Sequence, residues 1–512
     1  MTLIRFLVGA FLIVVAIVSP AHGSSWPMHQ FDAQNSGLNV EEKDIRVPLE
    51  LRWNRSHGQS IYETRTRPVI ADGVIYVGAS WGSNGQAYGS LRAISLDTGQ
   101  VLWSLNGLII QGTPALSNGR IYFGTRDGNF YAIKAKDGQL IWQIPTDGIA
   151  TAPVIFADMV FFGTTNGKLY AVNAENGEVL WALSMPYGAL SMPAITNGAL
   201  LVGGGRLLAV DPIGGNIKWS FSPLASSCSA PAIKGSSVFI GSNYRLYCLD
   251  IESGRVKWSY PTIDMGGYLK TPVIAGNTLF WGTVTAFDPD TGTVKWAFDS
   301  QNSYRDASVA VANGYVFVGS SHRERNEVLD TSDGRLYVLK ADTGELVWQY
   351  LAGRKFNDWY GIDPSPSVAE GSVVLNLSTS QLCRFTAVNQ LPILDLTVNK
   401  PAINPYDPEQ GCVDLSFSVD STASITIDIQ DFRNSTVRRL VDNKTFGKGM
   451  HSVTWHGLID FPEMADPYLA AEFGDKSILA APDGNYKFVV TARVDSAESY
   501  SAITSVKVEA SI

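Results

Sequence analysis

The stretch "AFDPDTGTVKW", residues 286–296, places three carboxylate or hydroxyl side chains before a Gly, then an apolar run that ends in Trp296. Read alone, it fits either a small acidic site or a turn between two strands. The rest of the chain decides, because a Gly followed four residues later by a Trp occurs seven times. The pairs are Gly99/Trp103, Gly138/Trp142, Gly177/Trp181, Gly215/Trp219, Gly254/Trp258, Gly292/Trp296 and Gly344/Trp348. The Trp residues stand 38 or 39 apart until the last pair, which is 52 apart. Six positions before each Gly stands Ala93, Ala132, Ala171, Ala209, Cys248, Ala286 or Val338. Ahead of each unit comes another apolar run, such as "RIYFG" (120–124) or "SVFIG" (237–241), and ahead of that a run holding a proline such as Pro114 or Pro231.

A repeat of about 40 residues with four short strands rich in Val, Ile, Phe and Tyr is the pattern of a propeller blade. The acidic segment is then the turn between the third and fourth strands. Asp opens such turns and Gly takes the positive φ. Because the same chemistry recurs at every turn of this type, the carboxylates need no metal to explain them. Two part-blades remain. "LELRWN" (49–54) offers an outer strand with Trp53 and no preceding hairpin, and residues 364–389 offer three strands and no Trp. Pairing them removes the open sheet edges of an unclosed ring. The fold expected is all-β: an eight-bladed β-propeller over 49–390, closed by the N-terminal strand. Its structural repeat residues are Trp53, Trp103, Trp142, Trp181, Trp219, Trp258, Trp296 and Trp348.

The spacing Ala-x-Asp-x-x-x-Gly-x-x-x-Trp, intact at 286–296 and with Asn173 in "AVNAENGEVLW" (171–181), resembles the tryptophan-docking repeat of quinoprotein-like, PQQ-like propellers. "WPMHQFDAQNSG" (26–37) is similar to the segment that opens many of them. The resemblance spans roughly 26–390. It implies the fold, in a superfamily that holds both PQQ-dependent alcohol dehydrogenases and the assembly protein BamB; one fold hosts many functions. After Asn389 the repeat stops. Residues 391–411 are Pro-rich and read as a linker with at most one strand, and alternating runs over 412–512 give an Ig-like β-sandwich. "VRRLVDNKTFGKGMHSVTWHG" (437–457) with "APDGNYKFVVTA" (481–492) resembles the FlgD-like immunoglobulin domain. His456 departs from that family's pattern, and 458–479 reads as an insertion.

Residues 1–23 carry one Arg, an apolar run and a small-residue end, the signature of a cleaved secretory signal. Residues 24–48 form a short N-terminal segment. No Cys follows the run, so the expectation is a secreted, periplasmic or cell-surface protein that is not a lipoprotein, with no transmembrane segment in the mature chain. A net charge of −9 argues against nucleic acid as the partner. Cys228, Cys248, Cys383 and Cys412 allow three full pairings, and sequence does not choose among them.

Strand order places the links between blades and the turns between second and third strands on one face. The long segments 81–90, 321–334 and 349–365 are read as loops on it. That face collects Tyr62, Arg67, Trp81, Tyr187, Tyr268, Lys270, Tyr304, Arg305, Asp306, Trp359 and Tyr360. Taken singly, each is an ordinary surface residue. Together they suit stacking and bidentate hydrogen bonding to a protein or glycan of the envelope or extracellular space. No catalytic set, metal ligands or cofactor is legible, and a non-enzymatic binding scaffold is the leading expectation. The alternative is an enzyme, either a quinoprotein dehydrogenase using PQQ with calcium or a polysaccharide-active propeller. No adjacent-cysteine pair supports the quinoprotein reading.

Overall fold

Seven of the eight repeat Trp residues reach out of their own sheet and close on the turn of the next one. Trp142 donates from Nε1 to Ala174 O (3.2 Å), Trp219 to Ile251 O (2.8 Å) and Trp258 to Pro289 O (2.9 Å). Trp53, Trp103, Trp181 and Trp296 repeat the bond to Leu96, Ala135, Pro212 and Ala341. Under each ring lies the turn glycine: a Cβ on Gly177, whose φ is +79°, would stand 2.8 Å from Trp142. The chain is described by a computed structural model covering residues 24–508 except 57–65, 84–85, 186–187, 197, 224–226, 243–244, 262–269, 283, 299–302, 307, 326–329, 357–364, 378–380, 388–392, 401, 405–411, 420–421, 432–435, 457, 461–477, 481–483 and 494–498.

Eight sheets make the propeller. Blade 1 is Val69–Ala71, Val74–Ser83, Gln86–Ser95 and Val101–Asn106 in that order. Blades 2 to 6 repeat this four-stranded meander over 115–145, 154–184, 194–221, 232–261 and 273–297. Blade 7 is Ala310–Ala312, Tyr315–Arg325, Asp330–Lys340 and Leu346–Phe356. Blade 8 is Ser367–Ala369, Ser372–Asn376 and Gln381–Ala387, and its outer strand is Leu49–Ser56. The closure is antiparallel, with Trp53 opposite Arg384 and Asn54 opposite Cys383. Trp53, Trp348 and Phe385 share one buried cluster with residues of blades 1, 7 and 8. Trp348 has no following turn to dock on, because the chain breaks there. It meets Phe385 edge-on at 5.9 Å instead.

The turn carboxylates behave as turn chemistry requires. Asp288 Oδ1 accepts the N–H groups of Asp290 (3.0 Å) and Thr291 (2.9 Å), and these bonds hold its carboxyl below the usual range. Replacing the glycine should be felt more than replacing the acid. Gly177→Ala adds strain at positive φ and a clash with Trp142, and should cost about 2 kcal/mol. Thermal unfolding checks this; an unchanged melting temperature would contradict the docking geometry.

The segments expected as long loops are largely paired strands. Val74–Ser83 and Gln86–Ser95 pair to the last position, Ser83 opposite Gln86. In blade 7, Arg325 pairs with Asp330 and Thr331 with Phe356, and Ser303–Asp306 adds a strand beside Ser320–His322. Their polar residues hid the strand period, because a run of polar residues shows no apolar alternation. C-terminal to the propeller, Ile393–Val398, Val413–Val419 and Gly449–Trp455 form one sheet. Ala402–Ile403, Ser499–Val508, Gly484–Arg493, Ala423–Gln430 and Thr436–Phe446 form the other. Residues 393–398 and 402–403, read as linker, are thus strands of the sandwich. Its core holds Phe417, Ile427, Trp455 and Phe488. Cys228, Cys248, Cys383 and Cys412 are all free thiols.

Candidate functional site

A ring of eight sheets leaves an axial channel, and residues 26–39 fill one end of it by touching the blades in turn. Trp26 exchanges two backbone bonds with Ile70 of blade 1, and Pro27 O accepts Leu116 N–H of blade 2 (2.7 Å). Met28 packs on the cluster that holds Val154 and Phe161 of blade 3. Ala33 O, Gln34 O, Ser36 O and Gly37 O then accept from Ile195, Ile233, Ile274 and Val311 in blades 4 to 7. Asn39 Nδ2 finishes the circuit at Val368 O of blade 8 (2.8 Å). Small and polar residues in "FDAQNSG" (31–37) let the backbone turn inside this circle. Asp32 Oδ1 caps the turn by accepting Gln34 N–H and Ser36 N–H.

Arg67 fastens this segment. It is fully buried, with its guanidinium 4.4 Å above the Trp26 ring. Nε and Nη2 donate to Pro366 O, and Nη1 donates to His29 O (2.5 Å) and Gln30 Oε1 (2.9 Å). The expectation that Arg67 belongs to an open binding face is therefore corrected. Its donors are consumed internally, because the link before blade 1 turns it inward at the position held by Thr113, Ala152 and Ala230 in later links.

Above the plug lies a cavity of about 660 Å³. His29 lines it. The other walls come from the links at 111–113, 149–152, 189–192, 227–230 and Thr271, and from turn residues including Thr165, Gly204 and Gly205. The cavity therefore sits on the link side. Glycines let each link cross its neighbour closely: a Cβ on Gly203 would stand 2.2 Å from Ser229 O. Hydroxyls lock the crossings, with Ser191 Oγ accepting Gly203 N–H and Ser229 Oγ accepting Gly241 N–H, both at 2.9 Å. His29 Nδ1 bonds Thr113 Oγ1 (2.8 Å), and burial, then the charge of Arg67, holds its pKa down at about 3. Its ring is neutral at physiological pH. Cys228 in the wall is 2% exposed, and burial pushes its thiol up to about 12, so it is inert as a nucleophile.

Of the other expected face residues, Lys270 adjoins the cavity residue Thr271, and its Nζ donates to Gly282 O (3.2 Å). Trp81 is in Val74–Ser83, opposite Tyr88. Tyr304, Arg305 and Asp306 are in the added strand Ser303–Asp306. Tyr62, Tyr187, Tyr268, Trp359 and Tyr360 lie outside the described residues. Sequence reasoning missed His29, Thr113 and the whole plug. The signal was present in the residue before each link proline, a ring position that runs Arg67, Thr113, Ala152, Met192, Ala230, Thr271.

A family model described as outer membrane protein assembly factor BamB matches residues 50–220, 87–283 and 281–390. The chain belongs to this family. Among solved structures, BamB from Moraxella catarrhalis is 15% identical with a TM-score of 0.51, covering 66% of this chain and 100% of that one. A quinohemoprotein alcohol dehydrogenase from Pseudomonas putida HK5 is also 15% identical with a TM-score of 0.51, covering 75% and 84%. At that identity both establish the fold alone. A 1-butanol dehydrogenase (cytochrome c) from Thauera butanivorans is 30% identical over 132 residues, 23% of this chain and 18% of the relative. The chain spans about a fifth of the length of the curated relatives it matches.

Those relatives raise the question of a quinone held with calcium. Calcium takes six to eight oxygen ligands, usually with carboxylates among them. The described lining supplies neither Asp nor Glu. Among the described residues no group of three His, Cys, Asp or Glu stands together. The described lining does not fit that cofactor.

Proposed function

We propose that this protein is a secreted or periplasmic binding scaffold, without catalytic chemistry of its own, whose link-side face holds an envelope or extracellular protein or a glycan. The sandwich serves as its anchoring or assembly module. The observation that carries this reading is the link side itself. It combines a cavity walled by neutral residues with projecting hairpins in blades 1 and 7. Rigid scaffolds that present such segments are commonly binding surfaces. Family membership with BamB, described as an outer membrane protein assembly factor, supports it. Among the described residues no helix is long and apolar enough to cross a membrane.

The second reading, a quinoprotein dehydrogenase, is favoured by the names of the relatives, two of which are a 1-butanol dehydrogenase and a quinone alcohol dehydrogenase subunit. Mature protein supplied with PQQ and Ca²⁺ separates the two. The scaffold reading expects no dye-linked oxidation of alcohols and no stoichiometric quinone binding; clear turnover would replace it with the dehydrogenase. On the scaffold reading, Trp359→Ala with Tyr360→Ala should weaken capture of envelope peptides or oligosaccharides at least tenfold while the melting temperature holds.

A further inference from the structure

The axial cavity has a sign as well as a shape. The chain carries a net charge of −9, yet the described lining holds no acid. Behind the floor stands Arg67, whose partners Pro366 O, His29 O and Gln30 Oε1 are all neutral. Among the described residues no carboxylate pairs with it. Its charge is hydrogen-bonded but not neutralised. Burial lowers its pKa, but a guanidinium stays protonated in proteins. In a low-dielectric wall its field reaches farther than in water.

Two lining residues connect that charge to the cavity. The Arg67 backbone N–H donates to Thr113 Oγ1 (3.0 Å), the atom that bonds His29 Nδ1, while Nη1 holds the His29 carbonyl. The ring hydroxyls of Thr151, Ser191 and Ser229 are committed to the link crossings. What the described lining offers a ligand is therefore a positive potential over His29 and Thr113, with no carboxylate among the described lining residues to match it.

We propose that this cavity receives a carboxylate, which sits over His29 and Thr113 and faces the charge of Arg67. The carboxylate belongs either to a small organic acid or to the C-terminal end of a polypeptide. This rests on the scaffold reading only for the use of the link-side face.

The test is calorimetric titration of the mature chain with two matched pairs of probes. One pair is benzoate and benzamide; the other is the tripeptide Ala-Ala-Phe with a free or an amidated C terminus. The acid of at least one pair should bind at least tenfold more tightly than its amide. Binding by the tripeptide acid alone assigns a chain end, and binding by benzoate as well assigns a free acid; both support the proposal. Because an Arg67 variant is expected to be unstable, Thr271→Asp is the informative change. It adds a carboxylate to the wall, and should weaken the acid at least tenfold with the melting temperature unchanged. Equal binding of acid and amide, no binding of either, or an unaffected Thr271→Asp would each overturn the proposal. None of these results touches the scaffold reading, which is decided by the Trp359 and Tyr360 changes and by the quinone assay.

Discussion

A mature chain lacking Leu49–Ser56 is expected to show no native thermal transition for the propeller. The deletion removes the outer strand of blade 8 and leaves the Gln381–Ala387 edge unpaired along the whole register from Leu49/Ala387 to Ser56/Gln381. It also takes Trp53 from the buried cluster that joins blades 7, 8 and 1, and with it the Nε1 bond to Leu96 O in blade 1. Fully burying one large apolar side chain contributes about 1.5–3 kcal/mol, and a whole domain holds only about 5–15 kcal/mol in reserve. Loss of Leu49, Trp53, a full ladder of backbone bonds and ring closure together exceeds that reserve. Circular dichroism melting tests the point, and a peptide spanning 24–56 supplied in trans should restore the transition. A deletion variant that melts like the parent would mean that the ring is not closed through this strand.

This closure is legible in the sequence, and the reason is physical. A blade needs four strands and a docked Trp. A chain that supplies a Trp strand at one end and three strands at the other has one economical way to satisfy both. The Gly-Trp spacing was equally legible because it encodes local constraints, a positive φ and a flat ring over a turn, that act within one blade and its neighbour. The candidate site was legible only in its general placement on the link side. The polar outer part of the blade 7 hairpin, 321–325 with 330–334, shows no apolar period, so it reads as a loop. The plug escaped notice because most of its bonds run from the backbone of 26–37 to blades as distant as that of Val311. Backbone partners leave little mark on residue identity.

Arg67 shows the same gap most sharply, and it yields a prediction that separates the two views of the residue. As a member of an open face, Arg67→Met should lower ligand affinity and leave stability alone. The structure expects the reverse order of effects. Methionine fills much of the space, but it leaves Pro366 O, His29 O and Gln30 Oε1 without their donor in a buried site. Each orphaned buried acceptor costs about 1–3 kcal/mol, and the stack on Trp26 is altered as well. The loss should be about 3–5 kcal/mol, seen as a large fall in melting temperature. Arg67→Lys should recover only a small part of it, because an ammonium cannot hold three acceptors in the plane of a fork. The plug should loosen first. Its carbonyls accept from Leu116, Ile195, Ile233, Ile274 and Val311, and hydrogen exchange at those five amides should quicken before the outer strands respond. An Arg67→Met chain with parental stability and protected inner-strand amides would show that the arginine does not fasten the plug.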